Sequence, residues 1–355
     1  MNSSYSLFYL LRLAIGTDGD KVNMASLSST DWRKLVDLSV NQGIATLAVD
    51  GLQKLLEANP NLELELDKEE LEDLKYDWLG STLSAEENYR KYVKAITSLA
   101  RAYSDNGIEI MILKGYGLSL NYPIPSHRPT GDIDVFLSDW KKGDDVIRQK
   151  GIEIDYSHHH HSVFKWKGFT VENHYDIENR YASRKGRRMD DLLKGLALVA
   201  RKEIDGIYFP SANFNGIFLI SHAASHFAGD HITLRHLLDW ALFVDKEWKE
   251  IDWSFVVDRL SKLGLLRFLF CMNALSIDCL GISAEKFPLL DRNSKLEARV
   301  LADILHPTFN EKGSGFIFKL RRLKANMWKR NLVSSESLVS RMVRLAWSHV
   351  RKPVV

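Results

Sequence analysis

Cysteine is nearly absent: Cys271 and Cys279 are the only two in 355 residues. Both lie in an apolar helical stretch without ligand-like spacing. That argues against a disulfide framework or a thiolate metal site and predicts buried thiols in a reducing compartment. Long apolar runs are also missing, since no segment reaches the ~20 residues needed to span a bilayer. The short run Leu7 to Ile15 is broken by Arg12, and no basic region precedes it. A cytoplasmic location is therefore expected. There is no excess of either charge. At a net charge of +2, the whole-molecule field argues neither for nor against nucleic acid, and only local patches can. Repeats and low-complexity segments are absent as well. What remains is an ordinary globular composition, 45% hydrophobic and 26% charged, in a chain long enough for two or three modules.

The first hundred residues read as helices. Ser29-Thr30-Asp31 supplies cap chemistry for a helix carrying Trp32, Leu35, Val36 and Val40 on one face. A second helix starts at Ile44 and closes at Asn59-Pro60, and a long amphipathic pattern runs from Leu71 to Tyr103.

The centre differs in kind. A strand, Glu109 to Leu113, leads into Lys114-Gly115-Tyr116-Gly117 and a short helix. A turn-rich segment containing Arg128 then leads to the strand Asp132-Ile133-Asp134-Val135-Phe136-Leu137. Alternation along a strand points Asp132 and Asp134 the same way and sends Ile133 and Val135 to the core. Two carboxylates that close repel each other unless a cation lies between them, and a hard divalent ion such as Mg²⁺ suits oxygen ligands. A glycine between strand and helix lets backbone N–H groups approach a phosphate.

Ser138-Asp139 is expected to cap a helix over Trp140 to Gln149, and Glu153 to Asp155 reads as a short strand. Two β-rich runs joined by Lys167-Gly168 predict a hairpin. On its second strand Glu172, His174 and Asp176 share a face, with Glu172 preferred over Asp176 as the third carboxylate. His158 to His161 has the composition of a transition-metal binder. The run directly precedes the hairpin and lacks spaced carboxylates, so a polar strand start is the preferred reading.

The run Leu113-Lys114-Gly115, then Arg128, then Asp132-Ile133-Asp134, then Val171-Glu172-Asn173-His174 resembles the polymerase-β-like nucleotidyltransferase superfamily. More narrowly, it resembles the uncharacterised bacterial nucleotidyltransferases with Leu-Lys-Gly, Asp-x-Asp and Glu-x-His motifs. Gln42-Gly43-Ile44, His222, His226 and Arg235 to Asp239 extend the likeness into the flanks. The superfamily usually has Gly-Ser or Gly-Gly where this chain has Lys-Gly-Tyr-Gly, and its spacer to the paired acids is shorter.

The resemblance implies a magnesium-dependent transferase with a nucleotide-binding, ATP-binding site. Asp132, Asp134 and Glu172 would be catalytic and would hold two Mg²⁺ ions, while Lys114, Gly115, Gly117 and Arg128 would hold the triphosphate. His174, Asp176, Arg235 and Asp239 would sit behind the metal or on the acceptor side. The partners implied are a nucleoside triphosphate and an unknown, small acceptor.

In the C-terminal half, Asn213 to His226 is a helix with His222 and His226 one turn apart. Zinc-hydrolase signatures are missing there, so a polar surface facing the nucleotide is expected. Beyond Gly315 the chain turns basic, with Lys319, Arg321, Arg322, Lys324, Lys329, Arg330, Arg341, Arg344, Arg351 and Lys352. Docking on lipid or nucleic acid is one reading; basic faces of helices packed on the body is the preferred one.

The expected fold is α+β: a helical module over 1–98, a small mixed-sheet core over 99–180, and a helical module with a basic tail over 181–355. The expected activity is transfer of a nucleoside monophosphate, most simply AMP from ATP, to an acceptor hydroxyl. The alternatives are an inactive nucleotide-sensing or partner-binding module on the same fold and a nucleic-acid-modifying transferase.

Overall fold

The computed structural model describes residues 2–17, 27, 30–60, 68–158, 160–178, 180, 184–199, 202–288, 291–307 and 316–333. The basic tail positions Arg341, Arg344, Arg351 and Lys352 lie outside them, as does His159.

The N-terminal helices form where their patterning predicts, but Val40 stands exposed near the end of its helix while Trp32 and Leu35 are buried. After α1 (Asn2–Ile15), Asp31 accepts a hydrogen bond from the Lys34 amide at 3.1 Å and starts α2 (Trp32–Asn41). The bond satisfies one of the donors that every helix start leaves open. α3 (Ala45–Ala58) and α4 (Lys68–Ser104) follow.

The sheet comes next, with β1 (Ile110–Ile112), the single-turn α5 (Tyr116–Ser119), β2 (Ile133–Leu137) and α6 (Trp140–Gln149). Asp139 caps α6 as expected, accepting from the Lys142 amide. β3 (His161–Trp166) and β4 (Phe169–His174) form the hairpin. Lys167 (φ +48°) and Gly168 (φ +91°) supply the left-handed turn that the twist of paired strands favours. Glu153 to Asp155 is not a strand; one bridge, Asp155 to Val163, is all that pairs there.

After α7 (Arg184–Ala197) come β5 (Lys202–Ile204) and β6 (Ile207–Phe209). The six-stranded sheet has the order β3-β4-β2-β1-β6-β5. β2 runs parallel to β4 and antiparallel to β1, while β6 pairs in parallel with β1. Two strands thus come from beyond the 99–180 span expected for the core. The apolar piece Ile207 to Phe209, which the sequence offers as a last strand or a docking segment, is β6, while β5 is three residues long and too short for alternation to reveal it.

Helices α8 (Ala212–Gly229), α9 (Leu234–Glu247), α10 (Trp253–Leu263), α11 (Leu266–Leu280), α12 (Ser294–Leu305), α13 (Phe316–Ala325) and α14 (Met327–Val333) complete the described chain. It is an α+β fold, a mixed sheet flanked by helices.

The sheet divides two cores by the period-two rule. Ile110, Ile112, Ile133, Val135 and Val171 pack against Tyr92, Ile96, Leu99 and Tyr103 of α4. Met111 and Leu113 face the other way, into a larger core with Phe214, Phe218, Trp240 and Phe268. That larger core also contains Leu7, Trp32 and Leu47, so helices before and after the sheet share one apolar interior. Gln42 ties them in polar terms, because its Oε1 accepts from the Leu234 amide while its Nε2 donates to Ile304 O.

Cys271 is buried and Cys279 half-buried; both are free thiols, pushed up to about 12 by burial. No helix among the described residues is long and apolar enough to cross a membrane. The described part of the basic tail folds back on the body. Lys329 is fully buried, pairs with Asp303 and donates to Asp230 O, and Arg322 pairs with Asp230.

Candidate active site

Strand register assembles the site. β2 and β4 run in parallel with Asp134 opposite Glu172 and Phe136 opposite His174. Across the hairpin, His161 stands opposite His174. Because Ile133, Val135 and Val171 point into the α4 core, Asp134, Glu172, His174 and His161 take the other face, towards α8. There they line a cavity of about 670 Å³ together with Lys114, Asp132, Arg128, His160, Glu178, His222, His226, Arg235 and Asp239.

The charges are arranged around Asp134. Lys114 Nζ lies 2.8 Å from Asp134 Oδ1, and His174 Nε2 lies 3.2 Å from the same oxygen and 3.4 Å from Glu172 Oε2. Burial works against ionising Asp134, but Lys114 and His174 overcome it and hold the carboxyl far below its usual range. Glu172 is also lowered, chiefly by the hydrogen bond from His174. The His174 pKa is raised despite burial, because both carboxylates accept from it. Asp134, Glu172 and His174 each offer a ligand atom within 4.8 Å of the others. Asp132 is exposed just ahead of β2 and lines the same cavity. Carboxylate oxygens on adjacent strands with a third carboxylate at the mouth are a donor set that fits a hard divalent cation.

The opposite wall belongs to α8 and α9. His222 Nε2 is 3.4 Å from Lys114 Nζ, and burial with Lys114 beside it keeps this imidazole neutral, well below its ordinary pKa. His226 is lowered for the same reasons, and its ring lies 4.5 Å from that of His222. Burial and then Arg235 push His236 down to about 3, and its Nδ1 accepts from the Thr233 amide to cap α9. Arg235 makes no ion pair or hydrogen bond among the described residues, which leaves its guanidinium open to a ligand anion.

Several residues named from the sequence are placed otherwise. Gly117 lies off the cavity and packs against Phe209, where an added Cβ would come within 3.0 Å of that ring. Its amide donates to Lys114 O, so it has no N–H for a phosphate. α5 has only one turn, too little for an accumulated dipole at its start. Gly115 lines the cavity with φ +53°, directly under the Tyr92 hydroxyl.

Asp176 does not share a face with Glu172 and His174. β4 ends at His174, the Tyr175 and Asp176 amides both donate to His160 O, and Asp176 turns to Lys194 and Arg180. Arg128 and Asp239 reach the cavity wall but bind each other, so neither guanidinium nor carboxylate is fully open. The expected polar surface of His222 and His226 does face the cavity.

Sequence reasoning read His160 and His161 as a polar strand start without a role in the site, and it missed Glu178. Counting outward from the Lys167-Gly168 turn puts His161 opposite His174, so the hairpin already carried that signal. Glu178 follows the strand in an irregular segment, where no periodicity marks it. Its carboxyl accepts from Ser221 Oγ at 2.7 Å, and burial raises its pKa.

The family described as uncharacterised nucleotidyltransferases matches residues 28–281, and the chain belongs to it. No curated protein and no solved structure matches. The matched span includes Gln42, both cavity walls and every cavity residue named above.

Proposed function

We propose that the chain is a metal-dependent nucleotidyltransferase that moves a nucleoside monophosphate, most simply AMP from ATP, to an acceptor hydroxyl. The observation that carries this reading is the in-register pair of Asp134 and Glu172 on parallel strands, facing a cavity with Lys114 between the walls.

Asp132, Asp134 and Glu172 would hold Mg²⁺. When bound, the ion draws charge from the phosphate oxygens and makes the acceptor hydroxyl more acidic. Lys114 then exchanges Asp134 for a phosphate oxygen, and Arg235 meets the phosphates from the opposite wall. Glu172, ionised at neutral pH, takes the hydroxyl proton as the acceptor oxygen attacks the α-phosphorus. The bond from that phosphorus to its bridging oxygen breaks, and pyrophosphate leaves with the electron pair. His174 donates to both carboxylates and keeps them aimed at the cavity.

A small acceptor is favoured by the cavity, whose size is that of a small-ligand site rather than a nucleic-acid groove. Burial of Lys329 and the pairing of Arg322 reduce what the described tail has to offer a phosphate backbone.

Calorimetry with ATP, GTP, CTP and UTP, with and without Mg²⁺, tests the proposal. Metal-dependent binding of one triphosphate, lost in Asp134→Asn/Glu172→Gln, is expected. A folded wild-type protein that binds none would turn the reading to a non-catalytic module on the same fold.

A further inference from the structure

Beside the carboxylates lies a second donor set of different chemistry. His160, His161 and His174 each present a ring nitrogen within 4.8 Å of the others. The His160 and His161 rings stand edge to face at 4.4 Å, and those of His161 and His174 are 5.0 Å apart. His161 and His174 are each 6% exposed. Even so, both His161 nitrogens, His160 Nδ1 and His174 Nδ1 have no hydrogen-bond partner among the described residues. Buried nitrogens are normally bonded, and each one left open carries a desolvation cost. One ion takes a single nitrogen from each ring, so three of these four atoms can share one occupant.

The tautomer of His174 identifies the occupant. Its Nε2 faces Asp134 Oδ1 at 3.2 Å and Glu172 Oε2 at 3.4 Å, so that nitrogen carries the proton and donates. In the neutral ring Nδ1 then keeps a lone pair. A carboxylate that accepts from one imidazole nitrogen while the other turns to a cation is the arrangement that orients histidine ligands in metal sites. The position of His160 is set as well, since its carbonyl accepts from the Tyr175 and Asp176 amides.

We infer that His160, His161 and His174 form a binding site for a transition-metal ion of zinc's class. This site is separate from the oxygen-ligand site of the proposed transfer reaction and next to it. Imidazole nitrogen suits zinc, cobalt and nickel and is a poor ligand for Mg²⁺. Three nitrogens about 2.1 Å from one ion lie about 3.4 Å apart in tetrahedral geometry, so modest ring rotations close the site. All three residues line the cavity, so the fourth coordination position opens into it. The inference concerns metal chemistry alone and stands or falls independently of nucleotidyl transfer.

The test uses untagged full-length protein, stripped with a chelator and titrated with Co²⁺, whose four-coordinate imidazole complexes absorb in the visible. With Mg²⁺ in large excess to compete for the carboxylates, one tightly bound Co²⁺ per chain is expected, with d–d bands that Zn²⁺ abolishes. His160→Ala and His161→Gln, each checked for folding by circular dichroism, should weaken Co²⁺ binding by more than about 100-fold. Asp132→Asn should retain the bands. Absence of visible bands would overturn the inference. So would Co²⁺ binding that survives both histidine variants, or that Mg²⁺ displaces, because the ion would then sit on the carboxylates.

Discussion

Arg128 and Asp239, 111 residues apart in the chain, close on each other as a two-pronged buried pair, with Nε–Oδ1 at 2.8 Å and Nη2–Oδ2 at 2.9 Å. Tyr122 adds a hydroxyl donor to Asp239 Oδ1 at 2.8 Å. Burial opposes the charge on Asp239, but Arg128 more than offsets it and lowers its pKa. The pair clamps the turn before β2 to α9, so it joins the two walls of the cavity.

Removing one partner should therefore harm the fold. Asp239→Leu leaves a guanidinium buried alone and is expected to cost about 3–5 kcal/mol, whereas Arg128→Met/Asp239→Leu should lose clearly less. Urea unfolding of the two single variants and the double variant reads this directly. A double variant as unstable as the sum of the singles would show that the two residues are not coupled.

The position of Lys114 makes a prediction of opposite signs. Its ammonium pairs with Asp134 at 2.8 Å. Lys114→Met should tighten Mg²⁺ binding by on the order of tenfold, as an internal competitor is removed. It should also weaken triphosphate binding by at least about tenfold, as a phosphate cation is lost. Calorimetry with each ligand separates the two; a change of the same sign in both would contradict the exchange of partners.

The proposed transfer places its charge around Asp134 and Glu172. Asp134→Asn and Glu172→Gln should each lower turnover by about 10²–10³-fold. Once the donor nucleotide and an acceptor are known, pyrophosphate release provides the assay. Turnover within a factor of two of wild type in either variant would remove that residue from the mechanism.

Gly115 combines positive φ with a close approach. A Cβ there would lie 2.3 Å from the Tyr92 hydroxyl, which itself donates to Asp132 O at 3.1 Å. Gly115→Ala should destabilise by backbone strain of about 1–3 kcal/mol plus the clash. Tyr92→Phe should remove the clash and leave the strain. Thermal unfolding of the cycle would refute this if Tyr92→Phe rescued either all of the loss or none of it.

His127 supplies a pH signature outside the cavity. Burial lowers its pKa, but hydrogen bonds to Asp50 at 2.7 Å and Glu86 at 3.1 Å outweigh burial and raise it above 6.5. A raised folded value means that its stabilisation is complete below the unfolded pKa and is lost as pH rises through the folded one. The depressed His160, His161 and His236 act in the other direction, favouring the fold above 6.5 and losing that as pH falls towards their values of about 3 to 4. Comparing wild type with His127→Gln cancels these shared terms. The stability advantage of wild type should shrink between about pH 6 and about pH 8; an advantage constant across that window would refute the assignment.

The sequence by itself determined the local elements and the chemistry of the acids. Asp31 and Asp139 announced their helices because cap hydrogen bonds reach only three residues. Alternation placed Asp134 and Glu172 opposite the apolar residues of their strands, because side-chain direction in a strand needs no partner. The Lys167-Gly168 turn even set the pairing of His161 with His174. Tertiary structure alone decided which groups meet across long loops. It turned Gly117 away from the cavity, sent Asp176 to Lys194, closed Arg128 on Asp239 and brought His222 to Lys114. It also added β6 beside β1 and buried Lys329 against Asp303. These outcomes depend on where the chain crosses the sheet and on which charges can be desolvated together. Such terms couple residues a hundred positions apart, and no local pattern records them.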